Sequence, residues 1–155
     1  MSKNKLALFA IVISVIFFSG CSTVPLESPE ISAKAKMFNL PKDGNAGLYV
    51  YRDSFVGQAL KKDVFVDNKC LGETAADVFF YTSVEGNKEH KISTESEFSP
   101  NDLNIKTQSG KNYFVRQYIK MGVFVGGAGV EVIEDEEAKK AISKLDMAKS
   151  GTCSK

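Results

Sequence analysis

Histidine is almost missing from this chain and tryptophan is wholly missing: His90 stands alone in 155 residues. Imidazole is the usual general base and metal ligand. A single one, set in Lys88-Glu89-His90-Lys91 just past a turn, reads as a solvated edge residue rather than a catalyst. No nucleophile elbow, P-loop or His-Glu-x-x-His pattern occurs. No catalytic residue, cofactor or metal ligand is therefore expected. Charge of one sign is also lacking. The formal net charge is +1, and taking away Lys3 and Lys5 with residues 1–20 leaves 18 basic side chains against 19 acidic ones. That balance speaks against a clustered basic face of the kind nucleic acid needs. Long apolar runs are lacking too. Leu6 to Phe18 is nearly unbroken hydrocarbon, but at about 13 residues it falls short of the roughly 20 that span a bilayer core.

What the run does have is a basic start at Lys3 and Lys5 and small residues at Ser19 and Gly20. Together these make the three-part layout of a secretory signal over residues 1–20. Phe18-Ser19-Gly20-Cys21 resembles the lipobox of bacterial lipoproteins, with Phe where Leu is commoner. The resemblance implies that the Cys21 thiolate takes a diacylglyceryl group and that a peptidase cuts before it. The new amine is then acylated. Ser22 rather than Asp follows the cysteine, which implies sorting to the outer membrane, on its periplasmic face. One acyl chain holds a protein marginally, at about 0.8 kcal/mol per buried methylene, whereas two or three anchor it stably.

Residues 21–45 contain three of the four prolines and few large apolar side chains, and read as a tether with a random-coil reach of about 25–30 Å. Within it Ser28-Pro29-Glu30 predicts the start of a short helix running to Phe38, whose ring would dock on the domain. From Gly47 the pattern turns to strands. Leu48 to Tyr51 is aromatic and β-branched. Val64-Phe65-Val66 leads through Asp67-Asn68-Lys69 into Cys70-Leu71 as a hairpin. Asp77 to Thr82, His90 to Thr94, Leu103 to Thr107, Tyr113 to Ile119, Val123 to Val125 and Val130 to Ile133 follow. Leu103 and Ile105 should face inward. Short strands with turns between them predict an antiparallel, Ig-like β-sandwich over residues 46–155. Asp135 to Ala148 predicts a C-terminal helix, acids first and lysines later, with Ala138, Ala141, Ile142 and Leu145 on one face.

With Cys21 lipidated, Cys70 and Cys153 remain, and an even pair in an oxidising compartment predicts a disulfide. Gly126-Gly127-Ala128-Gly129 reads as a loop or bulge rather than a phosphate cradle. With Phe124 it forms a candidate contact loop for lipid or a partner. Period-two alternation places Phe114, Arg116 and Tyr118 on one face of their strand and Tyr113, Val115 and Gln117 on the other. Arg52 and Arg116, set among aromatics, are either stacked, ion-paired core residues or anion-binding groups, with Tyr118 alongside.

Leu48-Tyr49-Val50-Tyr51-Arg52, Val64-Phe65-Val66-Asp67-Asn68 and Gly110-Lys111-Asn112-Tyr113-Phe114-Val115-Arg116 resemble an uncharacterised family of bacterial lipoproteins with a single domain of unknown function. The resemblance spans about Gly44 to Ile133. It implies a lipid-anchored, envelope-facing β-domain and brings no substrate. The function expected is a non-enzymatic binding or accessory module, bound to the membrane by its lipid, with an envelope protein as a candidate partner. Two alternatives stand beside it. One is a hydrolase using carboxylates alone, drawn from Asp53, Asp63, Asp77 and Glu97; the other is a purely structural envelope protein.

Overall fold

The computed structural model describes residues 23–96, 101–122, 124 and 126–154. The export segment and Cys21 lie outside the described residues, as do Glu97, Val123 and Val125. Helix α1 (Pro29–Ala35) starts as its sequence dictates. Ser28 accepts the Ile31 N–H at 3.4 Å, Pro29 opens the first turn, and Glu30 sits near the positive end. The helix stops at Ala35, and Phe38 takes a positive φ of 51°. Its ring lies 5.4 Å from that of Tyr49 and 6.0 Å from that of Phe114, the docking expected of it.

The strands are β1 (Asn45–Arg52), β2 (Lys62–Val66), β3 (Lys69–Thr74), β4 (Val78–Glu85), β5 (Glu89–Thr94), β6 (Asn101–Lys106), β7 (Asn112–Lys120) and β8 (Gly127–Val132). Helix α2 (Asp135–Ile142) and a two-residue strand, β9 (Asp146–Met147), close the order. Asp67 and Asn68 have φ of 50° and 63° between β2 and β3, as a two-residue type I′ hairpin turn requires. One sheet runs β8-β7-β1-β4-β9 and the other β3-β2-β5-β6. The smaller sheet is antiparallel throughout. The larger is mixed, because β1 pairs with β7, and β4 with β9, in parallel. Such pairs need long crossovers, which the strands of the second sheet and α2 supply.

The architecture is therefore the β-sandwich with a C-terminal helix. Its core has two parts. Leu48, Val50, Val64, Phe80, Ile92 and Val115 meet between the sheets, while Tyr49, Tyr51, Phe79 and Phe114 meet Ala138, Ile142 and Leu145 under the helices. β1 is buried on both faces past Asn45, which its unbroken apolar run anticipates.

Three expectations need correction. The helix α2 ends at Ile142 rather than Ala148, because Asp146 and Met147 pair with Val78 and Phe79 while Ala148 bridges to Leu26. Gly127, Ala128 and Gly129 are not a loop; they pair with Lys120, Ile119 and Tyr118 in β8. Glycine fits at 129 because a Cβ there would lie 2.6 Å from the Tyr118 ring. Most of the supposed tether is part of the domain. Val24 enters the inter-sheet core, Pro25 accepts the Lys149 N–H, and the Glu27 N–H donates to Met147 at 2.8 Å. Its apolar side chains are few, yet Val24 joins the core and Ala35 and Phe38 pack against it.

Candidate functional site

The two arginines do not form one site. Arg52 shares the inter-sheet face of β1 with Leu48 and Val50 and is fully buried. Its Nη1 donates to the Leu60 carbonyl at 2.8 Å and its Nη2 to that of Gly57, which clamps the loop of residues 53–61. Burial pulls its guanidinium below the ordinary value, and Asp77 opposes that shift. Arg116 lies in register with Tyr51, on the opposite face. Its Nε and Nη2 donate to Glu131 Oε1 at 3.0 and 2.7 Å, across the β7–β8 ladder. That bond outweighs the lowering effect of its partial burial and holds its guanidinium above the ordinary value. Tyr118 lies over Gly129 and beside Lys120, whose Nζ is 5.6 Å from its ring centre.

Between Arg116 and the α2 side sits Tyr51, a buried residue whose hydroxyl has no hydrogen-bond partner. Burial first, then the nearby charge of Asp53, pushes its phenol up to about 12. Asp53 and Asp77 come together with Glu137, Lys140 and Lys144 around a depression of about 390 Å³. Asp63 is elsewhere. It is buried, and its carboxylate accepts the Ser154 N–H at 3.0 Å and the Ser154 hydroxyl at 2.7 Å. No group of three His, Cys, Asp or Glu side chains that could hold a metal occurs among the described residues.

His90 is not a solvated edge residue. It is 3% exposed, with Nδ1 2.6 Å from Asp67 Oδ2 and Nε2 2.8 Å from the Glu85 carbonyl. The hairpin turn at Asp67 folds back over β5 and covers it, a long-range contact that local polarity gave no hint of. The predicted disulfide is present: Cys70 and Cys153 are bonded, with Cα atoms 6.0 Å apart.

Two apolar surfaces lie at opposite ends of the larger sheet. At the end where β1 finishes, Phe55, Val56, Met121 and Phe124 are exposed, Phe124 at 85%. Gly57 packs on Ile119 and Gly126 on Leu60, which brings the 53–61 loop against the β7–β8 turn. The Phe124 contact loop read from the sequence is thus half of this patch; Phe55 and Val56, in Ser54-Phe55-Val56-Gly57, supply the part that was missed. At the end where β1 begins, a groove of about 410 Å³ runs between α1 and the sheet, lined by Ile31, Lys34, Leu40, Pro41, Lys42 and Met147 among others. Reading residues 21–45 as a tether hid it, since one wall, with Ile31, Leu40 and Pro41, comes from that segment.

Residues 42–128 match the family model described as "Protein of unknown function (DUF2846)". The chain belongs to the DUF2846 family. An uncharacterized protein of Haemophilus influenzae (strain ATCC 51907 / DSM 11121 / KW20 / Rd) is 60% identical over 148 residues, covering 96% of this chain and 88% of that protein. No solved structure matches the chain. The DUF2846 match takes in β1 to β7 and the clamp at Arg52, while α1, α2 and β9 lie beyond it. No helix among the described residues is long and apolar enough to cross a membrane.

Proposed function

We propose that this chain is a lipoprotein held by acyl chains on Cys21 at the periplasmic face of the outer membrane, where it serves as a non-enzymatic binding or accessory module. The carrying observation is how the three cysteines divide. Cys70 and Cys153 bond to each other, as cysteines do in an oxidising compartment. Cys21 is left at the end of a short apolar run, directly ahead of the folded domain. The patch of Phe55, Val56, Met121 and Phe124 is the surface this module offers to an envelope partner. Engagement of Arg52, Arg116, His90 and Asp63 in internal bonds supports a non-enzymatic role. Mass spectrometry of the native protein should find acyl groups on Cys21, and the Cys21→Ala protein should leave the membrane fraction. A Cys21→Ala protein that stays membrane-bound refutes the anchor. For the partner, a photocrosslinking residue at Phe124 should yield a discrete adduct in intact envelopes that the same residue at Asp102 does not.

A second reading, a carboxylate-dependent hydrolase, draws on the depression where Asp53, Asp77 and Glu137 meet. It expects Asp77→Asn to abolish an envelope phenotype that survives substitution of Phe124, and the reverse pattern favours the binding module.

A further inference from the structure

We infer that the domain sits directly on the lipid surface, with the groove beside α1 facing the bilayer interface and the Phe124 end pointing away from it. This rests on the anchoring at Cys21 proposed above, and the chain's own geometry supplies the rest. Val24 is already in the core, so only Ser22 and Thr23 separate it from Cys21. That stretch reaches about 10 Å when fully extended, whereas β1 alone is roughly 26 Å long. A domain tied so closely has no room to swing clear of the membrane.

The direction of the chain chooses the face. The Lys149 N–H donates to the Pro25 carbonyl and the Glu27 N–H to that of Met147, so residues 25–27 run antiparallel to β9. Because β9 is parallel to β4 and β4 antiparallel to β1, following the chain back from Glu27 to Val24 leads toward the end where β1 begins. The groove opens at that end, where Asn45 and Ser83 line it. Its apolar walls include Leu40, 74% exposed, and Ile31, while Leu26 and Met37 are exposed nearby in the same segment. Lys34 and Lys42 line the groove and no carboxylate does. Apolar side chains with lysines at their margin suit an anionic lipid interface, where the stems lie along the acyl boundary and the ammonium groups reach the headgroups.

The absence of native tryptophan makes the test direct. Full-length lipidated Leu40→Trp and Phe124→Trp proteins are reconstituted separately into phosphatidylethanolamine–phosphatidylglycerol vesicles whose acyl chains carry bromine. Tryptophan at position 40 should emit to the blue of that at 124 and be quenched at least about twofold more strongly. Vesicle flotation with equal quenching at both positions, or none at 40, overturns the seating and leaves the anchor standing. A blue shift at 40 without quenching means protein covers the groove, a second copy or a partner, and also overturns it. Native protein that floats with the vesicles while carrying no acyl group on Cys21 overturns anchor and seating together.

Discussion

Replacing Thr94 by valine should destabilise the domain more than replacing Gln117 by methionine, although Gln117 stands at the centre of their shared network and Thr94 at its margin. Gln117 is fully buried between the sheets. Its Nε2 donates to the Thr94 hydroxyl at 2.6 Å, and that hydroxyl passes its own proton to the Asp63 carbonyl at 2.9 Å. Gln117 Oε1 faces the Thr74 hydroxyl, which also lies 2.9 Å from the Lys62 carbonyl. In Thr94→Val the relay is gone, and a carbonyl and an amide N–H are left unpaired in a dry interior. At about 1–3 kcal/mol for each orphaned group the loss comes to roughly 2–6 kcal/mol. In Gln117→Met, by contrast, Thr74 still donates to Lys62 and Thr94 to Asp63, and methionine fills most of the vacated volume. The cost there should be about 1 kcal/mol. Urea unfolding with an unchanged m-value measures both. The double variant should cost less than Thr94→Val alone, since the amide is no longer present to be orphaned. A Gln117→Met protein less stable than Thr94→Val would refute this reasoning.

Three further outcomes follow from the same structure. Reduction of the Cys70–Cys153 bond, which closes a separation of 83 residues, should lower stability by about 4 kcal/mol on chain-entropy grounds; an unchanged urea midpoint in reductant would contradict it. Gly72→Ala should cost about 1–3 kcal/mol by overpacking, because its Cβ would lie 2.6 Å from the buried Phe80 ring, and a thermal midpoint equal to the parent's would count against that contact. The Asp67 carboxyl is held below its ordinary 3.8: burial raises it, and the bonds from His90 and the Lys91 N–H more than reverse the rise. A depressed folded-state value gives stability that is present above the unfolded value and lost as pH falls through the folded one. Asp67→Asn should therefore flatten the fall of the urea midpoint below pH 3.8, and an unaltered slope would show that this carboxyl does not titrate with folding.

Legibility in the sequence divided along the range of the interactions. The Asp67-Asn68 hairpin, the alternation that puts Val115 on one face of its strand and Phe114 on the other, and the Ser28-Pro29 helix start are decided by neighbours a few residues apart, and each could be read directly. Pairing between distant segments could not. Nothing local to Asp146-Met147 announces a strand; it becomes one because Val78 and Phe79 offer an open edge. His90 looked solvated because its sequence neighbours are charged, yet Asp67 and the Glu85 carbonyl close over it. The same limit affected Arg52. Its aromatic neighbours fit a ligand site as well as a clamp, and only the return of the chain at Gly57 and Leu60 distinguishes them.

The two ends of the described chain share a physical task that neither end suggests alone. A sandwich has sheet edges whose unpaired backbone groups invite association with other strands. On the larger sheet, β9 is one of the two edges, and residues 25–27 pair along it through Pro25, Leu26 and Glu27. On the smaller sheet, β3 is one of the two edges. There the Gly151 N–H donates to Leu71, the Glu73 N–H donates to Thr152, and Ser154 bonds to Asp63 of the neighbouring β2. Leu71 is the extra residue where the β2–β3 register shifts, so its carbonyl is turned out of the ladder and available to the tail. The disulfide from Cys70 to Cys153 then pins that tail to the strand it covers. Its role is thus local as well as entropic: it keeps the β3 edge closed, as residues 25–27 close the β9 edge of the larger sheet.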